Sequence, residues 1–193
     1  MGFRISWMAA QGPMAEVLAA LGANTTGATG EYFDFPLSSG QLSNGWTIVW
    51  SEDETYFDPE RSAAISKHFS LLSCWVNETV MHSRLIQFEN GEQIWAVWHE
   101  GDEVPDHIDH FGQPPEEMAT LIADAREQQA NDEGVDYLFD VPLMMAQSIC
   151  GFKHDTFFED VLFHEISPGE PTPAVAAESR PASGWLARLL GKR

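Results

Sequence analysis

The chain has few cysteines, few basic residues and no long apolar run. Among its 193 residues there are two cysteines, Cys74 and Cys150, which form no CxxC pair. The sequence predicts no secretory leader, and isolated cysteines then favour free, buried thiols in a reducing compartment. No apolar stretch reaches the roughly 18 residues that a membrane-spanning helix requires. We therefore expect a cytoplasmic protein without a transmembrane segment.

Motifs for nucleotide binding or acyl transfer are also missing. The sequence contains no Walker loop, no GxGxxG and no GxSxG nucleophile elbow. Cys74 stands beside Trp75 in an apolar predicted strand, which favours burial over reactivity. These absences point away from an enzyme without excluding one.

Basic residues are scarce next to acidic ones. Ten lysines and arginines oppose 30 aspartates and glutamates, and the net charge is −20. Residues 1–166 carry 28 acidic and 6 basic residues, a net charge of −22, whereas residues 167–193 carry 2 acidic and 4 basic residues. An acidic body repels nucleic acid and anionic membranes and attracts basic proteins or cations. The plain alternative is that the acidity only maintains solubility.

Apolar residues make up 44 % of the chain, enough for a folded domain. Strands are predicted at "GFRISWM", where apolar and polar residues alternate, and at the apolar run "WTIVWS". Further strands are predicted in the stretch 69–99 and, from an imperfect alternation, at "TFFEDVLFHEI". Periodic apolar residues and end signals predict helices at "PMAEVLAALG", "FDPERSAAISK", "PPEEMATLIADAREQQAND" and "DVPLMMAQSICG". Residues 23–45 and 100–115 are predicted to be loops. The fold class expected is α+β, with a mainly antiparallel sheet of five or six strands, helices packed on it, and one domain over residues 1–166.

Asn90-Gly91 between two apolar runs is the strongest hairpin signal in the chain. With these two residues as the loop, facing residues on the two strands are fixed by counting outward. The predicted cross-strand pairs are Trp95 with Ile86, Val97 with Arg84, and His99 with His82.

The stretch "HEGDEVPDHIDH", residues 99–110, is a candidate metal site. His99 ends a predicted strand, and His107 and His110 follow as HxxH with Asp106 beside them. His82, across the hairpin, completes a set of imidazoles and a carboxylate that suits a divalent transition metal. HxxH in a loop fixes no geometry, so a solvated acidic loop with hydrogen-bonded His82 and His99 is the alternative. We expect no other cofactor.

"EYFDFP", residues 31–36, is a candidate partner-binding loop. It places Tyr32, Phe33 and Phe35 between acidic residues, a combination that suits a basic partner surface. The alternative is that the loop tucks its aromatic rings into the core.

The end of the chain differs from the rest in composition. Residues 167–184 are rich in Pro, Ala and Ser and are predicted to form a flexible linker. The last nine residues, 185–193, form a short basic amphipathic tail in which Trp185 and Leu189 are candidate contacts. Such a tail can meet a partner, touch a membrane surface weakly, fold back on the acidic body, or have no role.

The leading functional hypothesis is an acidic binding protein that engages a basic protein partner. Like charges over a whole domain raise the association rate with such a partner in a salt-dependent way. The chain resembles bacterial immunity proteins, many of which are small acidic α+β domains, but the resemblance is one of composition alone. The alternatives are a metal-dependent hydrolase that uses the stretch 99–110, and a scaffold or adaptor recruited through the tail.

Overall fold

A computed structural model describes residues 2–101, 106–132 and 134–169. Within these ranges the chain forms nine strands, four α-helices and one short 3-10 turn, Tyr32–Asp34. The strands are β1 (Arg4–Gln11), β2 (Ala23–Gly30), β3 (Leu37–Gln41), β4 (Trp46–Ser51), β5 (Leu71–Asn77), β6 (His82–Glu89), β7 (Glu92–Glu100), β8 (Asp109–Gly112) and β9 (Phe163–Pro168). The helices are α1 (Met14–Leu21), α2 (Pro59–Ile65), α3 (Glu117–Asn131) and α4 (Asp140–Cys150). The predicted tail, with Trp185 and Leu189, lies outside the described residues, as does all of the predicted linker beyond residue 169.

The nine strands form one antiparallel sheet in the order β2-β9-β3-β4-β1-β5-β6-β7-β8. The expectation of five or six strands is therefore wrong, whereas the α+β class is confirmed. The three strands that were expected to be loops are β2, β3 and β8. Two of them, β2 and β8, are the edges of the sheet, and six of the eight residues of β2 and all four of β8 are exposed. Side chains that face solvent leave no alternating apolar pattern, so backbone pairing alone defines these strands.

Helices cover both faces of the sheet, which gives a three-layer arrangement. In β1, Ile5, Trp7 and Ala9 belong to one buried cluster, and Met8 and Ala10 belong to another. The first cluster packs under α3 and α4, and the second packs under α1 and α2. Because apolar residues occupy both parities of β1, this central strand is buried on both faces.

The helix ends follow the signals in the sequence. Gly22 and Gly151 follow α1 and α4 with φ of +67° and +81°, a left-handed conformation in which glycine ends a helix at no steric cost. Asp58 precedes α2, and its side chain accepts a 2.7 Å hydrogen bond from the backbone N–H of Arg61. No helix in the described part of the chain is long and apolar enough to cross a membrane.

The hairpin at Asn90-Gly91 is confirmed, with φ of +53° and +86° at the two loop residues. The cross-strand pairs predicted from it are wrong, because a β-bulge shifts the register beyond Phe88. Trp95 and Val97 consequently share a face with Leu85 instead of with Ile86. The observed pairs are Gln87 with Trp95, Leu85 with Val97, Arg84 with Trp98, Ser83 with His99, and His82 with Glu100.

Candidate partner-binding surface

The first histidine of the stretch 99–110 is used inside the fold. His99 is completely buried, with Nδ1 against the carbonyl oxygen of His107 and Nε2 2.8 Å from Asp136 Oδ2. Each ring nitrogen therefore has an oxygen partner inside the fold. The ring thus links β7, the connection that follows it and the segment before α4. We call these three groups the His99 junction.

The backbone at Gly101 passes so close to this junction that a side chain there would collide with it. A Cβ at Gly101 would lie 2.5 Å from Asp136 Oδ2 and 2.8 Å from His99 Nε2, so only glycine fits there without displacing a partner. The neighbour of His99 across the sheet, Ser83, donates a 2.6 Å hydrogen bond to the carbonyl oxygen of Phe139. The sheet and the start of α4 are therefore joined by two adjacent polar contacts.

Of the other candidate metal ligands, His107 meets His99 through its backbone carbonyl oxygen and not through its ring. His82 points to the opposite face of the sheet, because it alternates with Ser83, and lines a pocket of about 340 Å³ together with Trp75. His107 is half-buried, and His110 is exposed. Asp106 is exposed and accepts a 3.2 Å hydrogen bond from Gln129.

Within the ranges that the structure describes, no three His, Cys, Asp or Glu side chains are arranged to hold a metal ion. Joint coordination by His82, His99, Asp106, His107 and His110 stays a prediction, and their described positions do not support it. Both cysteines are free and buried, and burial raises the pKa of Cys74 and raises that of Cys150 to about 12. Neither thiol is presented as a nucleophile.

The loop 31–36 divides its aromatic rings between core and surface. Tyr32 is only 3 % exposed, and its hydroxyl donates a hydrogen bond to the carbonyl oxygen of His154. Its ring packs edge-on against Phe152 and Phe163. Phe33, the next residue, is 46 % exposed, and Phe35 is half-buried. Of the three candidate contacts in this loop, Phe33 is the one that faces solvent.

The 3-10 turn that holds Tyr32 forms one wall of a groove, and the segment just before β9 forms the other. The groove has a volume of about 380 Å³ and carries four carboxylates, two from each wall. These are Glu31, Asp34, Glu159 and Asp160. We call this surface the acidic groove.

Hydrogen bonds within the turn hold the first wall in place. Asp34 Oδ2 accepts a 2.8 Å hydrogen bond from the backbone N–H of Glu31, and the side chain of Glu31 caps the same turn in return. A Cβ at Gly30 would lie 2.5 Å from Asp34 Oδ2, so any side chain at this position would displace the carboxylate. Glu31 Oε2 is buried and has no hydrogen-bond partner among the described residues. Burial raises the pKa of Tyr32 to about 12, and the negative charges of Asp155 and Glu31 add to this effect.

The charges of the acidic groove are not neutralised locally. None of its four carboxylates forms an ion pair within the described ranges, and no described lysine or arginine lines the groove. Lys153, the basic residue closest in sequence to the second wall, is held by Asp140 and Asp155 at 3.0 Å each. The groove therefore concentrates negative charge that no described cationic side chain neutralises.

Large apolar side chains stand exposed around these carboxylates. Leu162, which lines the groove, is 59 % exposed, and Phe157 is 63 % exposed. Phe157 borders a second groove of about 300 Å³, which shares Phe158, Glu159, Asp160 and Val161 with the first. Phe33 adds a second exposed ring in the turn that forms the first wall. Partner binding by Tyr32, Phe33 and Phe35 stays a prediction, and a segment distant in sequence contributes further acidic and aromatic residues to this surface.

Comparisons with protein-family models, with curated proteins and with solved structures return no match for this chain. The acidic groove therefore has to be interpreted from its own chemistry.

Half of this surface escaped the sequence analysis. Phe157, Glu159, Asp160 and Leu162 lie more than 120 residues from the loop 31–36 and were expected to belong to a strand. Acidic pairs are so frequent in this chain that Glu159-Asp160 carried no signal of its own. The imperfect alternation of "TFFEDVLFHEI" was the one available hint, since β9 begins only at Phe163.

Proposed function

We propose that this protein acts by binding, and that its acidic groove engages a cationic, partly apolar segment of a basic protein. The observation that carries the proposal is a groove of four carboxylates that form no ion pair among the described residues, with exposed Leu162 in its lining, exposed Phe157 in the adjoining groove, and exposed Phe33 in the turn of its first wall. Glu159 and Asp160 are exposed and can bind lysine or arginine, Glu31 and Asp34 add negative charge from within their hydrogen-bonded turn, and the apolar groups supply area that loses water on contact.

The two kinds of group have different roles in this proposal. The net charge of −20 attracts any basic protein and raises the association rate. Attraction over the whole domain does not choose an orientation. Rings beside the charge do, because an aromatic anchor in a pocket contributes most of the affinity of a typical interface. The groove is thus the place where general attraction becomes a specific contact.

The test uses a synthetic amphipathic peptide of lysine, leucine and tryptophan, with glutamate in place of lysine in a control peptide. We expect the cationic peptide to shift the amide resonances of residues 31–34 and 157–162, and the acidic peptide to shift none. Raising the salt from 0.05 to 0.5 M shortens the screening length from roughly 14 to roughly 4 Å and should weaken the binding severalfold.

Two variants with the same net charge separate the groove from the acidity of the whole domain. Glu159→Gln/Asp160→Asn removes two exposed charges of the groove, and Glu92→Gln/Glu127→Gln removes two exposed charges elsewhere. We expect the first to weaken peptide binding about three- to tenfold, which corresponds to roughly 0.7–1.4 kcal/mol, and the second less than twofold. Equal weakening by both variants would mean that only net charge is sensed and would contradict the proposal.

A further inference from the structure

The chain itself carries a segment whose chemistry complements the acidic groove. Residues 185–193, "WLARLLGKR", combine Trp185 and three leucines with Arg188, Lys192 and Arg193, and contain no acidic residue. Four of the ten basic residues of the chain lie after residue 179. A surface of exposed apolar groups and carboxylates without ion pairs is complemented by a segment that combines a tryptophan, three leucines and three bases.

The path of the chain places this segment within reach. Leu162 lines the groove, and β9 leads away from it, from Phe163 to Pro168. Six strand residues at about 3.3 Å each put Gly169 roughly 20 Å from the groove. There the chain is anchored by a 2.6 Å hydrogen bond from the N–H of Gly169 to the carbonyl oxygen of Gly22.

Fifteen residues, 170–184, separate this anchor from the basic segment. A random coil of fifteen residues has an end-to-end distance of about 5–6 Å times the square root of its length, or roughly 20 Å. A connection whose average span equals the distance between two sites gives the highest effective concentration, which is of millimolar order. Weak intrinsic affinity is then enough to keep the segment on the groove.

We propose that residues 185–193 occupy the acidic groove of their own chain, with bases on the carboxylates and apolar side chains on Phe33, Phe157 and Leu162. The inference rests on the proposed function, since the same surface would receive the partner. The segment consequently competes with any cationic ligand. If the segment itself binds the groove with an intrinsic dissociation constant of about 100 μM and is present at an effective concentration of about 1 mM, it weakens the binding of any competing ligand about tenfold.

The direct test places a nitroxide label at Ala187→Cys in the full chain. Cys74 and Cys150 are buried and therefore protected from the labelling reagent. We expect the label to broaden the amide resonances of residues 31–34 and 157–162, and to stop doing so when Glu159→Lys/Asp160→Lys is added. Broadening that is absent, or that centres on the pocket beside Trp75 and His82, would overturn the proposal. So would broadening of the same resonances in an unlabelled copy mixed with a labelled one, because that result identifies a second chain as the occupant.

A competition measurement separates this inference from the proposed function. The variant Arg188→Gln/Lys192→Gln/Arg193→Gln should bind a synthetic peptide of residues 183–193 about tenfold more tightly than the unchanged chain does. The control Arg61→Gln/Lys67→Gln/Arg126→Gln alters net charge by the same amount, at exposed positions, and should change affinity less than twofold. Groove binding with equal affinity for all three chains would overturn self-occupancy and leave the proposed function standing. No binding to any of them would overturn both.

Discussion

The His99 junction and the acidic groove are both rich in polar groups, and the fold treats them in opposite ways. At the junction, the two ring nitrogens of His99 each meet an oxygen acceptor, and the ring is closed to solvent. In the groove, four carboxylates lie side by side without a cation among the described residues. One region uses its polar chemistry to hold the molecule together, and the other leaves it available.

Residue type alone did not distinguish these two regions. Histidines with aspartates are a metal-binding pattern, yet burial and hydrogen bonding commit His99 to the core. Glutamates with phenylalanines are ordinary in an acidic chain, yet Glu159 and Phe157 are exposed, and Glu159 shares a groove with Glu31 and Asp34 of the 3-10 turn. What separates the two regions is exposure, because His99 is closed to solvent whereas Glu159 and Asp160 are open to it.

The largest effect that we predict lies within the groove wall itself, where adjacent residues differ most. Tyr32→Ala removes a ring packed against Phe152 and Phe163 and should lower the free energy of unfolding by about 3–5 kcal/mol. Phe33→Ala removes an exposed ring and should change it by no more than about 0.5 kcal/mol. Urea unfolding followed by tryptophan fluorescence measures both.

The same pair of variants also tests binding. Phe33→Ala should weaken the binding of the cationic peptide severalfold although the fold is unaffected. A Phe33→Ala variant as unstable as Tyr32→Ala would show that the turn is one packed unit, and the division of this loop into core and surface would fail.

At the His99 junction we predict an intermediate effect. His99→Leu leaves Asp136 and the carbonyl group of His107 without their partner, and should cost roughly 2–3 kcal/mol of unfolding free energy. The matched control, His110→Leu, changes an exposed histidine of the same segment and should lie within about 0.5 kcal/mol of the unchanged protein. The midpoint of urea unfolding, at constant slope, reports both values. Equal stability of the two variants would mean that the junction contributes nothing and that His99 is free for another role.

The sequence was sufficient for those elements that carry their own local signal. Asp58 and Pro59 start α2, Gly22 and Gly151 end α1 and α4, and Asn90-Gly91 forms the tight turn of the central hairpin. In each case a few adjacent residues impose the backbone angles, so a reader of the sequence has all the necessary information. The aromatic and acidic character of the loop 31–36 was equally visible.

Features that depend on distant pairing were out of reach. The edge strand β2 exists because its backbone pairs with β9, about 140 residues away, and its Thr- and Gly-rich sequence gives no sign of it. The bulge beyond Phe88 shifts one strand by a single residue, which is enough to put His82 and His99 on opposite faces. The acidic groove needs both the 3-10 turn and the segment before β9, so neither half alone predicts it.

The smallest effect that we predict concerns pH and a buried histidine beneath the groove wall. His154 is 1 % exposed, has Nε2 3.2 Å from Glu78 Oε1, and meets the ring of Phe3 edge-on. Burial lowers its pKa below the ordinary value of 6.5, and the nearby charge of Lys153 adds to this, against the opposing influence of Glu78 and Asp155. The folded protein therefore holds this proton less firmly than the unfolded chain does.

Stability should accordingly fall as the pH drops below about 6.5, with a slope of at most about 1.4 kcal/mol per pH unit for one proton. The window is distinct from that of Asp53 and Glu54, whose lowered pKa values make their contribution disappear only in more acidic solution. His154→Gln keeps a donor for Glu78 and cannot titrate, so its unfolding free energy between pH 7.5 and 5.5 should be flatter than that of the unchanged protein. The exposed His68→Gln is the control and should leave the slope as it is. If His154→Gln and His68→Gln gave the same slope as the unchanged protein, the burial of His154 would not govern the stability in this range.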